Sequence, residues 1–210
     1  MKRYTPDNTI ITFDIHGVLC TTDYPRALSL IFNSKHVIRI LSYLRSPSII
    51  KMLIRLWHNH AVAGHYVQQL TQAKPELATY IPLLKRIANA QKPNNTVLNL
   101  VNQMKQRGFE LHILSNIDAT IFDELTKIHT TMFTHFDAVQ STQSSDKYGK
   151  PHSWIFTRYL STHVPAGKQV IFIDNKKKNI IAAQKLGIIG IHYRNPRQLV
   201  RALKKLQILL

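Results

Sequence analysis

Acidic residues are scarce in this sequence. Lysine and arginine number 28 against 11 aspartates and glutamates, a formal charge of +17 over 210 residues. No acid lies between Asp23 and Glu76, and none follows Asp174. A field of that sign draws phosphate esters, nucleic acid and anionic lipid alike. Zinc-finger spacing, a ribonucleoprotein-type aromatic motif and a long basic low-complexity arm are all missing. The charge therefore reads as a solvated basic surface ahead of dedicated nucleic-acid or anionic-surface binding. Cys20 stands alone, which excludes an internal disulfide and fits a reducing, cytoplasmic setting. No apolar run approaches the ~20 residues of a transmembrane segment. Residues 1–8 lack the apolar stretch and cleavage site of a signal peptide.

What is present is an alternation of strand and helix patterns. Thr9-Ile10-Ile11-Thr12-Phe13 is rich in β-branched residues and reads as a buried strand, the first strand covering 9–14. From about Asp23 to Asn89 apolar residues recur at helical spacing, with Ser46 and Pro47 able to start a new helix and Ile49 to Trp57 continuing amphipathically. From Pro93 onward the pattern becomes αβ. Asn94 or Asn95 caps a helix to about Arg107, and Phe109 to Leu114 is a strand closed by Ser115-Asn116. A helix over 119–127, a strand over 136–140 and a helix from Pro151 through Leu160 follow. A strand over 169–173 ends at Asp174, then come a helix over 178–186, a strand over 188–192 and a last helix over 196–209. This order predicts an α/β fold, a mostly parallel sheet flanked by helices. The helical tract interrupts it, so 1–22 and 90–210 form a core domain and 23–89 an inserted helical cap.

Polar residues gather where strands end. In an open α/β sheet the carboxyl ends of the strands are where ligands bind. Asp14 follows the first strand, Ser115-Asn116 the second, and Asp174-Asn175 the strand over 169–173, while Lys150-Pro151 closes a polar loop. Taken singly each has a plain reading. Asp14 can cap a turn, Ser115 and Asp174 can cap helices, and Lys150 can be surface charge with Lys147 as its rival. Asp118 and Asp123 read as helix-start residues. Together and in this order, Phe13-Asp14-Ile15-His16-Gly17-Val18-Leu19, Leu114-Ser115-Asn116, Gly149-Lys150-Pro151 and Ile171-Phe172-Ile173-Asp174-Asn175 resemble the four motifs of the haloacid dehalogenase (HAD) superfamily. The helical tract sits where that family places its C1-type cap. The resemblance covers 9–19 and about 95–195.

The resemblance implies a Rossmann-like core and a Mg²⁺-dependent phosphatase acting on a small phosphorylated metabolite. Asp14 would be the nucleophile, forming an aspartyl-phosphate. Lys150 would add positive charge to the transferring group, and Ser115 and Asn116 would hold its oxygens. Asp14, the His16 carbonyl, Asp174 and Asn175 would hold the metal. Two positions depart from the family. His16 stands where a second aspartate usually does acid–base work, a role an imidazole can take. Asn175 stands where a second metal-binding carboxylate is usual, which weakens metal affinity, and Lys176, Lys177 and Lys178 crowd the same loop. A hydrolase of altered activity is the resulting expectation. The alternative is a catalytically impaired module that binds a phosphorylated ligand, nucleic acid or a protein. Another reaction of the superfamily, such as dehalogenation or phosphonate cleavage, is a third reading. Trp57, Tyr66 and His58 are candidate substrate-selecting residues of the cap, and His58, His60 and His65 match no standard metal site.

Overall fold

The computed structural model describes residues 3–35, 75–143 and 145–209, with positions 37, 38, 42, 47 and 72. Among the described residues the elements are β1 (Thr9–Phe13), β2 (Cys20–Thr22), α1 (Tyr24–Phe32), a 3-10 turn (Pro75–Tyr80), α2 (Ile81–Ala88), β3 (Gln91–Pro93), α3 (Asn95–Gln106) and β4 (Glu110–Asp118). They continue with α4 (Ala119–Ile128), α5 (Thr130–Phe133), β5 (Ala138–Thr142), α6 (Ser153–His163), β6 (Gln169–Asp174), α7 (Lys177–Gln184), β7 (Ile189–His192) and α8 (Pro196–Lys205). Ser46, the whole run from Ile49 to Trp57, and His58, His60, His65 and Tyr66 lie outside the described residues.

Five parallel strands form one sheet in the order β5-β4-β1-β6-β7. The chain leaves β1 toward β4 and β5 on one side and toward β6 and β7 on the other. The switch in direction at β1 opens a crevice at the carboxyl ends of β1, β4 and β6. The period-2 alternation of the strands divides the interior into two cores. Ile11, Phe13, Leu111, Ile113, Ile171 and Ile173 pack with α3 and α8 on one face. Leu114, Val170 and Phe172 pack with Ile155, Phe156 and Tyr159 of α6 and Ile180 and Ala183 of α7 on the other.

Most element ends have a visible physical cause. Asn94 caps α3 through its side chain to Val97 N, and its amide also donates to the Val18 carbonyl and the Tyr193 hydroxyl, each at 3.0 Å. Asp118 caps α4, accepting from Thr120 N at 3.0 Å and from the Thr120 hydroxyl at 2.7 Å. Asp123, expected at the same helix start, lies in the second turn instead. The last helix stops at Lys205 rather than running to Leu209. Gln207 takes a φ of 60°, Gln207 N bonds Lys204 O, and Ile208 N bonds Leu203 O, which folds Ile208 and Leu209 back into the core. His152 caps α6, so Pro151 stands ahead of the helix rather than opening it. β4 runs on through Ser115 and Asn116 to Asp118 because its register against β5 shifts beyond Leu114. There the Thr142 hydroxyl donates to the carbonyls of Asn116 and Ile117.

The short antiparallel ribbon of β2 and β3 carries no alternating pattern and is absent from the sequence reading. It pairs Thr22 with Gln91, so the chain departs after β2 beside the point where it returns in β3. α1 and α2 pack on each other beyond it.

A buried polar chain crosses the α6 face of the sheet. The Thr12 hydroxyl and the Tyr159 hydroxyl are 2.6 Å apart, Tyr159 meets His112 Nδ1 at 2.9 Å, and His112 Nε2 meets Glu110 at 2.9 Å. Burial lowers the His112 pKa below the ordinary histidine value, against the pull of Glu110. A histidine held neutral in the fold but free to protonate when unfolded stabilises the protein above the unfolded pKa. That stability fades as pH falls through the unfolded value of ~6.5 toward the folded one. We expect unfolding free energy to drop between pH 7 and pH 5, and His112→Gln to flatten that slope in urea titrations at each pH. An unchanged slope would place the pH dependence elsewhere.

Candidate active site

The crevice at the strand ends is organised around one ammonium group. Lys150 is 2% exposed, and its Nζ lies 3.0 Å from Asp14 Oδ1, 2.9 Å from Asp174 Oδ2 and 2.6 Å from the Leu114 carbonyl. These three contacts engage the three protons an ammonium has. They tie together the ends of β1, β6 and β4. Burial opposes the charge on Lys150, but the two carboxylates outweigh it and hold its pKa above that of an ordinary lysine. Lys147, the rival in sequence, is exposed and lies over the Tyr148 ring.

Asp14 sits one residue past β1, continuing the ladder through its N–H to the Ile173 carbonyl at 2.9 Å. Its Oδ1 takes both Lys150 and the Ile15 N–H, the latter at 2.8 Å. Asp174 is wholly buried and more heavily engaged. Oδ1 accepts from Lys176 N at 2.7 Å, while Oδ2 accepts from Asn179 Nδ2 at 2.8 Å and from Lys150. Burial pushes its pKa up, against the pull of Lys150. The resemblance gives Asp174 a metal-holding role, directly or through water; in this geometry its oxygens hold Lys150 and the start of α7. Asn179 is the residue that sequence reasoning undervalued. It lies five positions after Asp174, within reach across one helical turn, and that spacing was the available signal.

Asn116, a residue expected to hold phosphoryl oxygens, has its side chain engaged elsewhere in this geometry. Its side chain is bonded at both ends to the Lys150 backbone, accepting from Lys150 N at 2.6 Å and donating to Lys150 O at 2.8 Å. A Cβ on Gly149 would stand 2.6–2.8 Å from the Asn116 amide, so glycine at 149 makes room for this clamp. Ser115 is 1% exposed in β4, and its hydroxyl accepts from Ile117 N at 3.4 Å. The cap of α4 belongs to Asp118, so Ser115 is not a helix cap.

The loop after β1 lies directly against the loop after β6. Gly17 has a φ of +82°, and a Cβ there would meet Asn175 Nδ2 at 2.1 Å. The Asn175 carbonyl accepts from His192 Nε2 at 3.0 Å. Asn175 Oδ1 is a buried oxygen without a hydrogen-bond partner. Such an oxygen costs free energy unless something binds it. Together with the Asp14 carboxylate and the His16 carbonyl it makes a set of hard oxygen donors of the kind Mg²⁺ takes, with one formal negative charge. Among the described residues no three His, Cys, Asp or Glu side chains cluster as a metal site. His16 is half-buried, and burial, with the fields of Lys176 and then Lys150, lowers its pKa to about 4. Its imidazole is therefore neutral at pH 7, a proton acceptor rather than a proton donor. Cys20, buried nearby, has its thiol pushed up to about 12 by burial and by Asp14, so it is inert.

A parallel α/β sheet with a carboxylate and a buried lysine at its switch point defines a Rossmann-like fold with a charged site at its strand ends. The family model for haloacid dehalogenase-like hydrolases matches residues 9–187. The chain belongs to that family. The sesquiterpene phosphatase astK of Aspergillus oryzae is 27% identical over 101 residues, 48% of this chain and 50% of that protein. The match thus spans about half the length of that curated relative. A HAD phosphatase from Thermococcus onnurineus shares the fold with a TM-score of 0.66, at 16% identity over 89% of this chain and 86% of that one. L-2-haloacid dehalogenase from Xanthobacter autotrophicus shares it with a TM-score of 0.60, at 16% identity over 96% of this chain and 84% of that one.

Two outcomes are expected of this geometry. Lys150→Ala leaves two buried carboxylates facing each other, so it should cost about 3–5 kcal/mol in urea unfolding. A loss under 1 kcal/mol would mean that the ammonium does not hold the strand ends together. Asn116→Ala and Gly149→Ala should each cost about 1–3 kcal/mol through the Lys150 backbone groups they leave unpaired. In the double variant the methyl occupies the vacated space, so the two losses should sum to more than the combined loss. Strict additivity would show that they do not share one contact.

Proposed function

We propose that this chain is a phosphoryl hydrolase that works through an aspartyl-phosphate at Asp14. The observation that carries the reading is the carboxylate of Asp14 held at the sheet switch point by Lys150 and the Ile15 amide. Those contacts fall on Oδ1, which orients the other oxygen, Oδ2, for attack on phosphorus. Lys150 stands close enough to Asp14 to offset charge on the transferring group as well. Ser115 follows Leu114, whose carbonyl accepts from Lys150, within β4, and its hydroxyl and backbone are suited to phosphoryl oxygens.

Mg²⁺ would be held by Asp14, the His16 carbonyl and Asn175, and would neutralise charge on the phosphoryl oxygens when bound. With a neutral amide at 175, affinity should be weaker than at a site with two carboxylates. In the second half of the reaction the neutral His16 imidazole takes a proton as water attacks the acyl phosphate. The curated relative's name, a sesquiterpene phosphatase, supports phosphate-ester chemistry on a small molecule. Residues 23–89 act as a helical cap over a core of 1–22 and 90–210, entered and left through the β2–β3 ribbon. No described helix is long and apolar enough to cross a membrane.

The test is phosphate release from p-nitrophenyl phosphate and a sugar phosphate, with Mg²⁺ and with chelator. Wild type should release phosphate only with metal, and at millimolar rather than micromolar Mg²⁺. Asp14→Asn should abolish release while the protein stays folded by circular dichroism. Equal turnover in Asp14→Asn would remove the aspartyl-phosphate, and turnover unaffected by chelator would favour metal-independent chemistry at the same aspartate.

A further inference from the structure

Two features of the site point to the chemistry of its leaving group. The first is the cationic edge after β6. Lys176 and Lys177 are exposed and follow Asp174 and Asn175 directly. Their loop is seated on the nucleophile's loop by the packing of Asn175 against Gly17, and it is held from β7 by His192. Burial, and then the neighbouring Lys176, lowers the pKa of Lys178, which shows how closely positive charge is crowded here. Lys150 lies between the two carboxylates, Asp14 and Asp174, and three further lysines, 176, 177 and 178, follow directly after Asn175. Lys150 is committed to both carboxylates, whereas Lys176 and Lys177 stay at the rim.

The second feature is the state of the two acids. Asp14 is the attacking group, and Asp174 is bonded to Lys150, Asn179 and the Lys176 amide. Neither is placed as a carboxylic acid ready to protonate a departing oxygen. An alkoxide that leaves without a proton is a base of nearly hydroxide strength, since water ionises at ~15.7. A phosphate leaves as a far weaker base, its second pKa being ~6. It needs compensating cations rather than a proton.

We propose that the Lys176–Lys177 edge is a second anion subsite and that the preferred substrate is an organic diphosphate that loses its terminal phosphoryl group at Asp14. This rests on the hydrolase reading above. In the first step a carboxylate oxygen of Asp14 bonds to the terminal phosphorus while the bond from that phosphorus to the bridging oxygen breaks. The electron pair stays on the bridging oxygen, which departs as part of an organic monophosphate beside Lys176 and Lys177. Water then attacks the acyl phosphate, which releases inorganic phosphate and a proton and returns the Asp14 carboxylate.

Butyl diphosphate and butyl phosphate share one organic group and separate the two kinds of leaving group. Both are compared with p-nitrophenyl phosphate, in Mg²⁺, on wild type and on Lys176→Ala/Lys177→Ala. Binding of inorganic pyrophosphate and of inorganic phosphate is measured by calorimetry on the same two proteins. We expect kcat/KM for butyl diphosphate to exceed that for butyl phosphate by at least about tenfold, and the double variant to erase most of that preference. Pyrophosphate binding should weaken about tenfold in the double variant, and phosphate binding by less. Turnover of p-nitrophenyl phosphate with equal rates on the two butyl esters overturns the diphosphate assignment and leaves the hydrolase reading standing. Silence toward all three esters overturns the hydrolase reading and with it the diphosphate reaction. In that case lysine-dependent pyrophosphate binding upholds the anion subsite alone, and unchanged binding overturns it too.

Discussion

A buried ammonium between two carboxylates is tolerable only if all its protons are engaged, and Lys150 meets that condition where three strands converge. Its bonds to Asp14, Asp174 and the Leu114 carbonyl draw the ends of β1, β6 and β4 together. A lysine chain is flexible, and fixing it there costs rotamer entropy. The fold meets that cost from behind. Asn116 holds the Lys150 peptide at both ends, Gly149 leaves the room for it, and Asn179 and the Lys176 amide hold the far side of Asp174. Removing any one support loosens a group on which the position of the nucleophile depends.

The strands of the parallel sheet were legible because they were short apolar runs followed by polar residues, although their side-by-side order was not. Asp14 and Asp174 were legible for the same reason, since a charged residue that ends an apolar run is hard to explain by packing, whereas Lys150, in a polar loop, stood out only through the motif it shares with the family. What sequence could not give was the direction of the polar side chains. Asn116 beside Ser115 reads as a phosphate ligand, yet its amide is turned to a peptide 34 residues away. Asp174 reads as a metal ligand, yet both its oxygens serve Lys150 and α7. The Asn116 bonds and the bond from Lys150 to Asp174 join segments distant in sequence, which spacing does not encode, whereas Asn179 lies within local reach of Asp174. The β2–β3 ribbon was missed for a related reason, since three-residue strands carry too few positions to show a period.

Neither departure from the family pattern is passive in the geometry. His16 is kept neutral by burial and by the lysines near it, so a proton donor is missing from a place where acid–base chemistry would be expected. Asn175 keeps an oxygen in place while giving up a charge, and that oxygen stays without a hydrogen-bond partner. At both positions a neutral side chain stands where the family usually has a carboxylate, so both leave less negative charge around the phosphoryl group. A polyanion gains most from such a field.

The contact between Gly17 and Asn175 makes these changes a single unit. With a φ of +82° and no side chain, Gly17 lets the loop after β6 approach the loop after β1 to within van der Waals distance. A substitution at 175 is therefore felt at the backbone that carries Asp14 and His16. Charge carried by Lys176 reaches His16 across the same contact. Had the two loops been separated by a side chain, a lysine-rich turn after β6 would be ordinary solvated surface, screened within about 10 Å by salt. Seated as it is, the turn belongs to the environment of the nucleophile, and its charge acts on whatever Asp14 attacks.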